Sequence, residues 1–277
     1  MIRHLLQLIW NQRKQNAWLW AELLLVSVFL WFLVDYLYVM GRTYTAPLGF
    51  DIRHTYSIVI SSLSERSPDY IPKEKRERPD GVHLLTALDR IRTYPGVESA
   101  CLTDGGMPYY MGSRNLVWRI DTLQVPCRYA FVTPEFFDVF RIYDKDGKTA
   151  SLKRAIEDNN SIVISADVET MNPGLSLLGQ KAYRGNVTDE IEETIRGISV
   201  PIRRHEYTKA EPNVYRALRL SRMEEGYYEG MIDAVRLCVR VRPDVDNADF
   251  PARFRKDMAE QLRLGNLYLL DVQPLSY

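Results

Sequence analysis

The sequence predicts an α+β protein with one N-terminal transmembrane helix and an extracytoplasmic domain of two subdomains. Three observations lead to this prediction. A long apolar run lies near the N-terminus, a β-α-β pattern occurs at each end of the remaining chain, and short strand-like segments fill the interval between them. The two β-α-β patterns predict a split, ferredoxin-like, porter-type subdomain into which a mainly β subdomain is inserted.

Composition sets the limits of this interpretation. The chain has 277 residues, with 36 Lys and Arg against 36 Asp and Glu. This length allows one large domain or two small ones beside a membrane segment. A net charge of zero gives no electrostatic reason to bind nucleic acid, so we expect no nucleic-acid partner.

Residues 17–40 form the predicted transmembrane helix, since Glu22 and Asp35 are their only charged residues. A helix of this length reaches about 36 Å, whereas a hydrocarbon core is about 30 Å thick. The run is too long, and too rich in tryptophan, for a cleavable signal peptide. Two interpretations of its carboxylates remain open: an ion path, or contacts near the membrane interface or with another helix. The second is favoured because both residues lie nearer the ends of the run than its middle.

Residues 1–16 are predicted to be a cytoplasmic amphipathic segment. They contain Arg3, Arg13 and Lys14 and no acidic residue, so the positive-inside rule places the N-terminus in the cytoplasm. Everything after about Gly41 then lies outside. An alternative, a helical extension of the membrane span, is nearly as well supported by the pattern.

The split subdomain is predicted from residues 54–104 and 231–277. In the first part, a strand at 56–61 and a strand at 97–103 flank a helix with apolar residues at helical spacing. In the second part, strands at 234–243 and 267–275 flank a helix with Phe250, Phe254 and Met258 on one face. Residues 105–230 then form the inserted subdomain, with strand candidates at 115–120, 125–132, 161–165, 193–202 and 213–221.

The stretch GLSLLGQK, residues 174–181, decides whether the sequence contains a nucleotide site. A phosphate loop needs a lysine directly after its second glycine, but Gln180 follows Gly179. A nucleophile elbow needs a glycine two residues after its serine, where this sequence has Leu178. We therefore interpret the stretch as a structural turn whose glycines adopt special backbone angles.

Other patterns give no catalytic, cofactor-binding or metal-binding residue. His205 lacks the second histidine of a zinc motif, and the acidic turn at Asp144 lacks the spacing of a calcium loop. The cluster MPYYMG at 107–112 either lines a groove for a ligand or partner or simply packs. Cys101 and Cys127 are predicted either to form a disulfide outside the cytoplasm or to remain free, with Cys238 as a buried thiol.

Several stretches together resemble the extracytoplasmic core domain of MacB/FtsX-type ABC transporter permeases. They are IRTYPGVESA (91–100), YAFVTPEFFDVFRI (129–142), residues 159–185, and VRVRP followed by FPARFRKDM. In that family a strand, a short helix and a glycine-containing turn recur as structure without a nucleotide. The resemblance covers nearly the whole chain through the order of these stretches.

The resemblance implies a non-catalytic domain in the cytoplasmic membrane that relays ATP-driven motion for export or mechanotransmission. It also implies a separate ABC ATPase subunit, reached through permease segments absent from this chain, and a permease homodimer or heterodimer. Membrane lipid and a periplasmic partner or substrate protein are further expected contacts. The chain then looks like a fragment of a longer permease or a split one. The alternatives from the sequence are an anchored sensor or receptor domain and an anchored hydrolase.

Overall fold

A computed structural model describes residues 17–110, 112, 114–185 and 190–275, together with residues 3, 7, 10 and 14. The chain divides into two compact units, Met1–Pro47 with Glu206–Thr208 and Leu48–His205 with Lys209–Tyr277. The predicted amphipathic segment at 1–16 lies mostly outside the described residues. Each unit is built around its own elements.

The first unit contains helix α1, Ala17–Thr45. It is five residues longer than the predicted span, because Gly41 and Arg42 continue the helix and Thr45 donates its hydroxyl to the Gly41 carbonyl at 3.0 Å. None of its side chains is buried, and Trp18 and Trp31 are 76% and 71% exposed. It is long and apolar enough to cross a membrane.

The second unit begins and ends with the two β-α-β patterns. The first consists of β1 (Thr55–Ser62), α2 (Asp80–Arg92) and β2 (Val97–Asp104). The second, numbered after the strands inserted between them, consists of β9 (Val235–Val241), α7 (Phe250–Met258) and β10 (Leu267–Pro274). The four strands pair in the order β10-β1-β9-β2, all antiparallel. This is the ferredoxin-like order expected from the sequence.

Both helices cover one face of this four-stranded sheet. Helix α2 buries Leu84, Leu88 and Ile91, and α7 buries Phe254 and Met258, in one cluster with side chains of all four strands. The spacing of three or four residues places each set on one side of its helix. The predicted core of the split subdomain is therefore present in the structure.

The chain between β2 and β9 folds into a mainly β part. Its strands are β3 (Asn115–Ile120), β4 (Leu123–Val132), β5 (Ser161–Ser165), β6 (Lys181–Arg184), β7 (Ile191–Ser199) and β8 (Asn213–Ala217). Its short helices are α3 (Phe136–Val139), α4 (Ala150–Ala155), α5 (Asp167–Met171) and α6 (Leu220–Glu224). The pairings run β4-β3-β6-β7-β5-β8 and return from β8 to β4, so the six strands form a closed barrel.

The barrel interior is filled by alternate residues of its strands. Trp118, Cys127, Ile164 and Val214 belong to this buried cluster, as does Leu177 from the glycine turn. Along β7 the inward positions start at Glu193 and recur at every second residue. The period-2 alternation explains why strand prediction succeeded here.

The barrel and the ferredoxin-like part share one continuous sheet. Strand β2 pairs with β4 through Thr103–Val132 and Asp104–Phe131. Three residues from the inserted stretch, Leu218, Met223 and Tyr228, pack in the core of the ferredoxin-like part. We keep the division of the chain at residues 105 and 230 as a proposal.

Candidate functional site

A cleft lies beside the start of the barrel, where the loop that leaves β2 faces β4 and β8. It is narrow and partly open to solvent, with a cavity volume of about 20 Å³. The lining comes from Phe50, the loop 105–109, residues 128–130 of β4, Ile142, and the segments 202–204 and 213–215. The predicted aromatic cluster therefore contributes its first three residues, Met107 to Tyr109, to the wall of a cleft.

The loop 105–109 is held in an unusual backbone conformation. Gly105 has a φ of +86°, and a side chain at Gly106 would meet the Thr103 hydroxyl at 2.6 Å. Tyr109, which is not a glycine, has a φ of 60°. Its ring packs edge-on against Phe50, with centroids 5.9 Å apart. Left-handed backbone at a tyrosine costs energy, so packing at the cleft must hold it there.

The cleft contains three arginines, Arg128, Arg203 and Arg204, and its lining includes no Asp or Glu. Burial, and then the positive charge of Arg204, lower the pKa of Arg128. The Nε atom of Arg204 is buried and has no hydrogen-bond partner among the described residues. The backbone N–H of Arg203 donates to the Leu48 carbonyl at 3.0 Å, which fixes this segment at the edge of the cleft. Sequence reasoning missed these arginines because Arg128 lies about 75 residues before Arg203 and Arg204 and the three form no motif.

The glycine turn at 174–181 is built as structure. Gly174 and Gly179 have φ values of 97° and 85°, which favour glycine. The Gly179 N–H donates to the Ile195 carbonyl at 2.8 Å. Lys181 begins β6, and its Nζ lies 2.7 Å from a Glu192 carboxylate oxygen. This geometry supports the interpretation of the stretch as a turn that secures the barrel.

The acidic turn at Asp144 is satisfied by its own chain. One Asp144 carboxylate oxygen accepts the N–H groups of Asp146 and Lys148 at 2.9 and 2.8 Å, and the other accepts the Ser151 hydroxyl. Among the described residues, no group of three or more His, Cys, Asp or Glu side chains could hold a metal ion. The turn therefore has a local structural explanation.

The disulfide that was one of two predictions for Cys101 and Cys127 is not formed. All three cysteines are free and buried. Cys127 lies inside the barrel, whereas Cys101 lies in a different cluster, directly opposite Cys238 on the neighbouring strand. The error arose because location in the sequence near the insertion says nothing about which face of a strand a side chain occupies.

Comparison with known proteins places the fold. No family model matches the sequence, and no curated protein matches it. A domain of a protein described as a permease, from Porphyromonas gingivalis, is similar at 17% identity and a TM-score of 0.52, over 83% of this chain and 93% of that one. At this identity the likeness shows the fold alone, and it confirms the expected α+β architecture.

Two further solved structures are more distantly similar. The extracellular domain of the noncanonic ABC-type transporter YknZ from Gram-positive bacteria has a TM-score of 0.45 at 12% identity, over 78% of this chain and 100% of that one. The periplasmic region of MacB from Actinobacillus actinomycetemcomitans has a TM-score of 0.44 at 10% identity, over 83% and 94%. The fold assignment rests on the Porphyromonas gingivalis domain.

Proposed function

We propose that this chain is the extracytoplasmic core domain and first membrane helix of an ABC transporter permease of the MacB/FtsX type. The observation that carries the proposal is the order of its parts: one exposed apolar helix, then a ferredoxin-like sheet with an inserted barrel. The solved domain from Porphyromonas gingivalis with the same fold is described as part of a permease, which supports the same assignment.

The proposed location is the cytoplasmic membrane, with the N-terminus inside and the main domain outside. Helix α1 exposes a continuous apolar surface along its whole length, which water would solvate unfavourably and lipid would cover. Arg3, Arg13 and Lys14 precede it without an acidic residue. This charge bias supports the proposed orientation.

The proposed role is to relay motion and not to catalyse a reaction. Residues 48–54 follow α1 in the chain and are fastened to the body by Arg240, which is fully buried. Its guanidinium donates to the carbonyls of Asp51 at 2.6 Å, Arg53 at 2.7 Å and Val139 at 2.7 Å. Displacement of this stretch would therefore pull directly on β9 of the central sheet.

The proposed partners follow from this role. A separate ATPase subunit would supply the motion through the membrane part of the permease, to which a second permease copy or homologue would also contribute. A periplasmic partner or substrate protein would receive the motion outside. The ATPase would carry ATP hydrolysis, so this chain is proposed to be no enzyme.

The test is to tag the protein at its native locus and purify it from membranes in a mild detergent. We expect an associated protein that carries the phosphate-loop motif G-x-x-x-x-G-K-[ST] and hydrolyses ATP. An Arg240→Met variant that still folds should retain the associated ATPase but lose the cellular phenotype that depends on the permease. The reason is that Asp51 and Arg53 would no longer be hydrogen-bonded to β9. Association with a histidine kinase instead would contradict the proposal and favour the sensor alternative.

A further inference from the structure

Cys101 and Cys238 face each other on neighbouring strands of the ferredoxin-like sheet. Strand β2 pairs with β9 in an antiparallel register that places Cys101 directly opposite Cys238. Both residues are fully buried in the same cluster, so their side chains lie on the same face of the sheet. In the structure both thiols are free. We propose that the pair is a site of oxidative cross-linking, which closes into a disulfide between β2 and β9 when the chain folds in the presence of a disulfide oxidant.

The backbone geometry of the pair permits this bond. The N–H of Leu102 donates to the Thr133 hydroxyl at 3.1 Å, and the Leu102 carbonyl accepts the Thr133 N–H at 3.0 Å, so both groups point away from β9. Because these directions alternate along a strand, the N–H and carbonyl of Cys101 point towards β9. The Cα atoms of such a hydrogen-bonded pair are about 5.5 Å apart, and disulfides usually join Cα atoms about 4.4 to 6.8 Å apart.

The two thiols are also close to each other. Burial, and then a side-chain hydrogen bond with Cys238, raise the pKa of the Cys101 thiol. The Cβ atoms of residues directly opposite in an antiparallel sheet are about 4.5 to 5.5 Å apart, whereas a disulfide needs about 3.5 to 4.5 Å. Closing the bond therefore requires an approach of about 1 Å between the strands. We expect a strained disulfide, which is easier to reduce than an unstrained one.

The third cysteine of the chain provides the contrast. Cys127 lies in the barrel cluster, where it is opposite Leu116 on β3 and its thiol donates to the Val125 carbonyl at 3.5 Å. All three cysteines lie within the described residues, and neither of the other two shares this cluster. Oxidation should therefore join Cys101 to Cys238 and leave Cys127 as a thiol.

The oxidant in this reaction is a disulfide compound, either oxidised glutathione or a thiol oxidase that carries a disulfide. One cysteine thiolate attacks it and forms a mixed disulfide, and the first thiol of the oxidant leaves. The second cysteine thiolate then attacks the cysteine sulfur of the mixed disulfide, and the second thiol leaves. Two S–H bonds break and one S–S bond forms between Cys101 and Cys238. The two electrons and two protons end on the two thiols of the oxidant.

Burial determines when this reaction takes place. Thiol–disulfide exchange needs a thiolate and access, and neither is available at the fully buried pair in the folded domain. In the unfolded chain a cysteine is exposed and has an ordinary pKa of about 8.5. Oxidation should therefore accompany folding, after which burial protects the bond from reductants. In the cell this rests on the proposed function, since an extracytoplasmic domain folds where such oxidants occur.

The test measures closure of the pair in the purified protein. The full chain in a neutral maltoside detergent is incubated with equal concentrations of oxidised and reduced glutathione, in urea slightly below the unfolding midpoint, so that it opens and refolds repeatedly. The sample is then quenched with acid, and its free thiols are alkylated with N-ethylmaleimide in concentrated urea. Mass spectrometry of the intact protein and of its tryptic peptides counts the alkylated thiols and locates any disulfide.

The expected result is the loss of two alkylatable thiols. Cys127 should be alkylated, and one peptide pair should link Cys101 to Cys238. With reduced glutathione alone, all three cysteines should be alkylated. This second sample also shows that alkylation is complete.

Matched variants locate the bond. Cys127→Ala should still lose both of its remaining thiols to a disulfide, because Cys127 lies in the barrel. Cys101→Ala and Cys238→Ala each remove one side of the pair and should show no intramolecular disulfide. Both replace a buried thiol by a smaller apolar side chain, and if one of them does not fold, the other still provides the comparison.

Three results would overturn the proposal. The first is wild-type protein that keeps three alkylatable thiols after the incubation. The second is a disulfide that includes Cys127 as the main product. The third is glutathione that stays attached to Cys101 or Cys238, because the facing thiol would then have failed to complete the exchange. Since none of these measurements depends on membrane orientation or on the associated ATPase, failure here is distinguishable from failure of the permease role.

Discussion

Replacing Glu193 with glutamine removes the negative charge of an ion-pair group inside the barrel. Glu193 points inward from β7, and its side chain is 1% exposed. One of its carboxylate oxygens accepts the Arg216 Nε–H at 2.8 Å, and the other lies 3.4 Å from the Nε of Arg184. The Arg216 guanidinium also stacks over Phe131, 5.0 Å from the ring centre. Without the carboxylate, two arginines would share the barrel interior with no counter-charge.

The expected loss of stability follows from this burial. Breaking a buried ion pair by removing one partner typically costs about 3 to 5 kcal/mol, because the remaining charge stays desolvated. For a body of this size that loss lowers the melting temperature by roughly 6 to 20 °C. Burial already lowers the pKa of Arg216, ahead of the opposing effect of the Glu193 charge. The loss of stability caused by Glu193→Gln should therefore lie near the upper end of this range.

Thermal and urea unfolding of the full chain in detergent, followed by circular dichroism, measure the effect. Glu192→Gln is the matched control, because Glu192 is the next residue of the same strand but its side chain is 49% exposed and pairs with Lys181 at the surface. That change should cost less than about 1 kcal/mol. Equal losses for the two variants would refute the reasoning. A double variant, Glu193→Leu with Arg216→Met, should recover part of the loss because no desolvated pair then remains.

Three other predictions concern orientation, nucleotide binding and the thiols. An alkaline phosphatase fused after Tyr277 should be active and a cytoplasm-only reporter at the same point silent, and the reverse pattern would place the domain in the cytoplasm. The purified protein should bind no ATP in calorimetry, since the turn at Gly179 lacks the phosphate-loop lysine, so saturable binding that Gly179→Ala abolishes would disprove this. Burial raises the pKa of the Cys127 thiol to about 12, so maleimide should label it at pH 7 only after urea unfolding, as mass spectrometry would show. Because the pKa of the Cys127 thiol is higher in the folded protein than in the unfolded chain, the thiol contributes fully to stability below about pH 9, and this contribution decreases as the pH rises towards 12. Fast labelling of Cys127 in the native protein at pH 7 would contradict the prediction that it is buried.

The sequence was informative wherever a local pattern of apolar residues decides the structure. Short apolar runs located β3 at the predicted residues 115–120 and β5 at 161–165, and helical spacing located α2 and α7. Local patterns also predicted the ferredoxin-like order, because two β-α-β units can pair in few ways. These elements are determined by residues close together in the sequence, so they can be predicted from one sequence alone.

Closure of the barrel could not be predicted in the same way. Strand β6, Lys181–Arg184, is four residues long and carries charge at both ends, so no pattern marked it as a strand. It nevertheless joins β3 to β7 and completes the ring. The predicted strand at 213–221 ends at Ala217, because Leu220 begins α6. These strand boundaries are decided by pairing with strands far apart in sequence, and the propensities of single residues do not predict such pairing.

The cleft shows the same limit for function. Its arginines come from β4 and from the segment before β8, and each by itself looks like an ordinary solvated cation. Only the folded chain reveals that they line one cleft with Tyr109, whose lining includes no Asp or Glu. The aromatic cluster at 107–112 was the one local pattern that pointed to the cleft. Tyrosines in a turn between strands usually pack against the protein or contact a ligand or partner.

The proposed relay of motion would require a stiff junction between the ferredoxin-like part and the barrel. Direct strand pairing there is short, because β2 and β4 share two residue pairs. Packing supplies the remainder: Phe136 and Phe140 lie in one buried cluster with Cys101 and Cys238 of the ferredoxin-like sheet and with barrel residues such as Tyr215. Close-packed interiors transmit displacement with little loss. Since Arg240 fastens residues 51 and 53 to the same region, a pull on the chain after α1 should move the sheet and the barrel together. If the proposed relay operates, we therefore expect the ferredoxin-like part and the barrel to move as one rigid body.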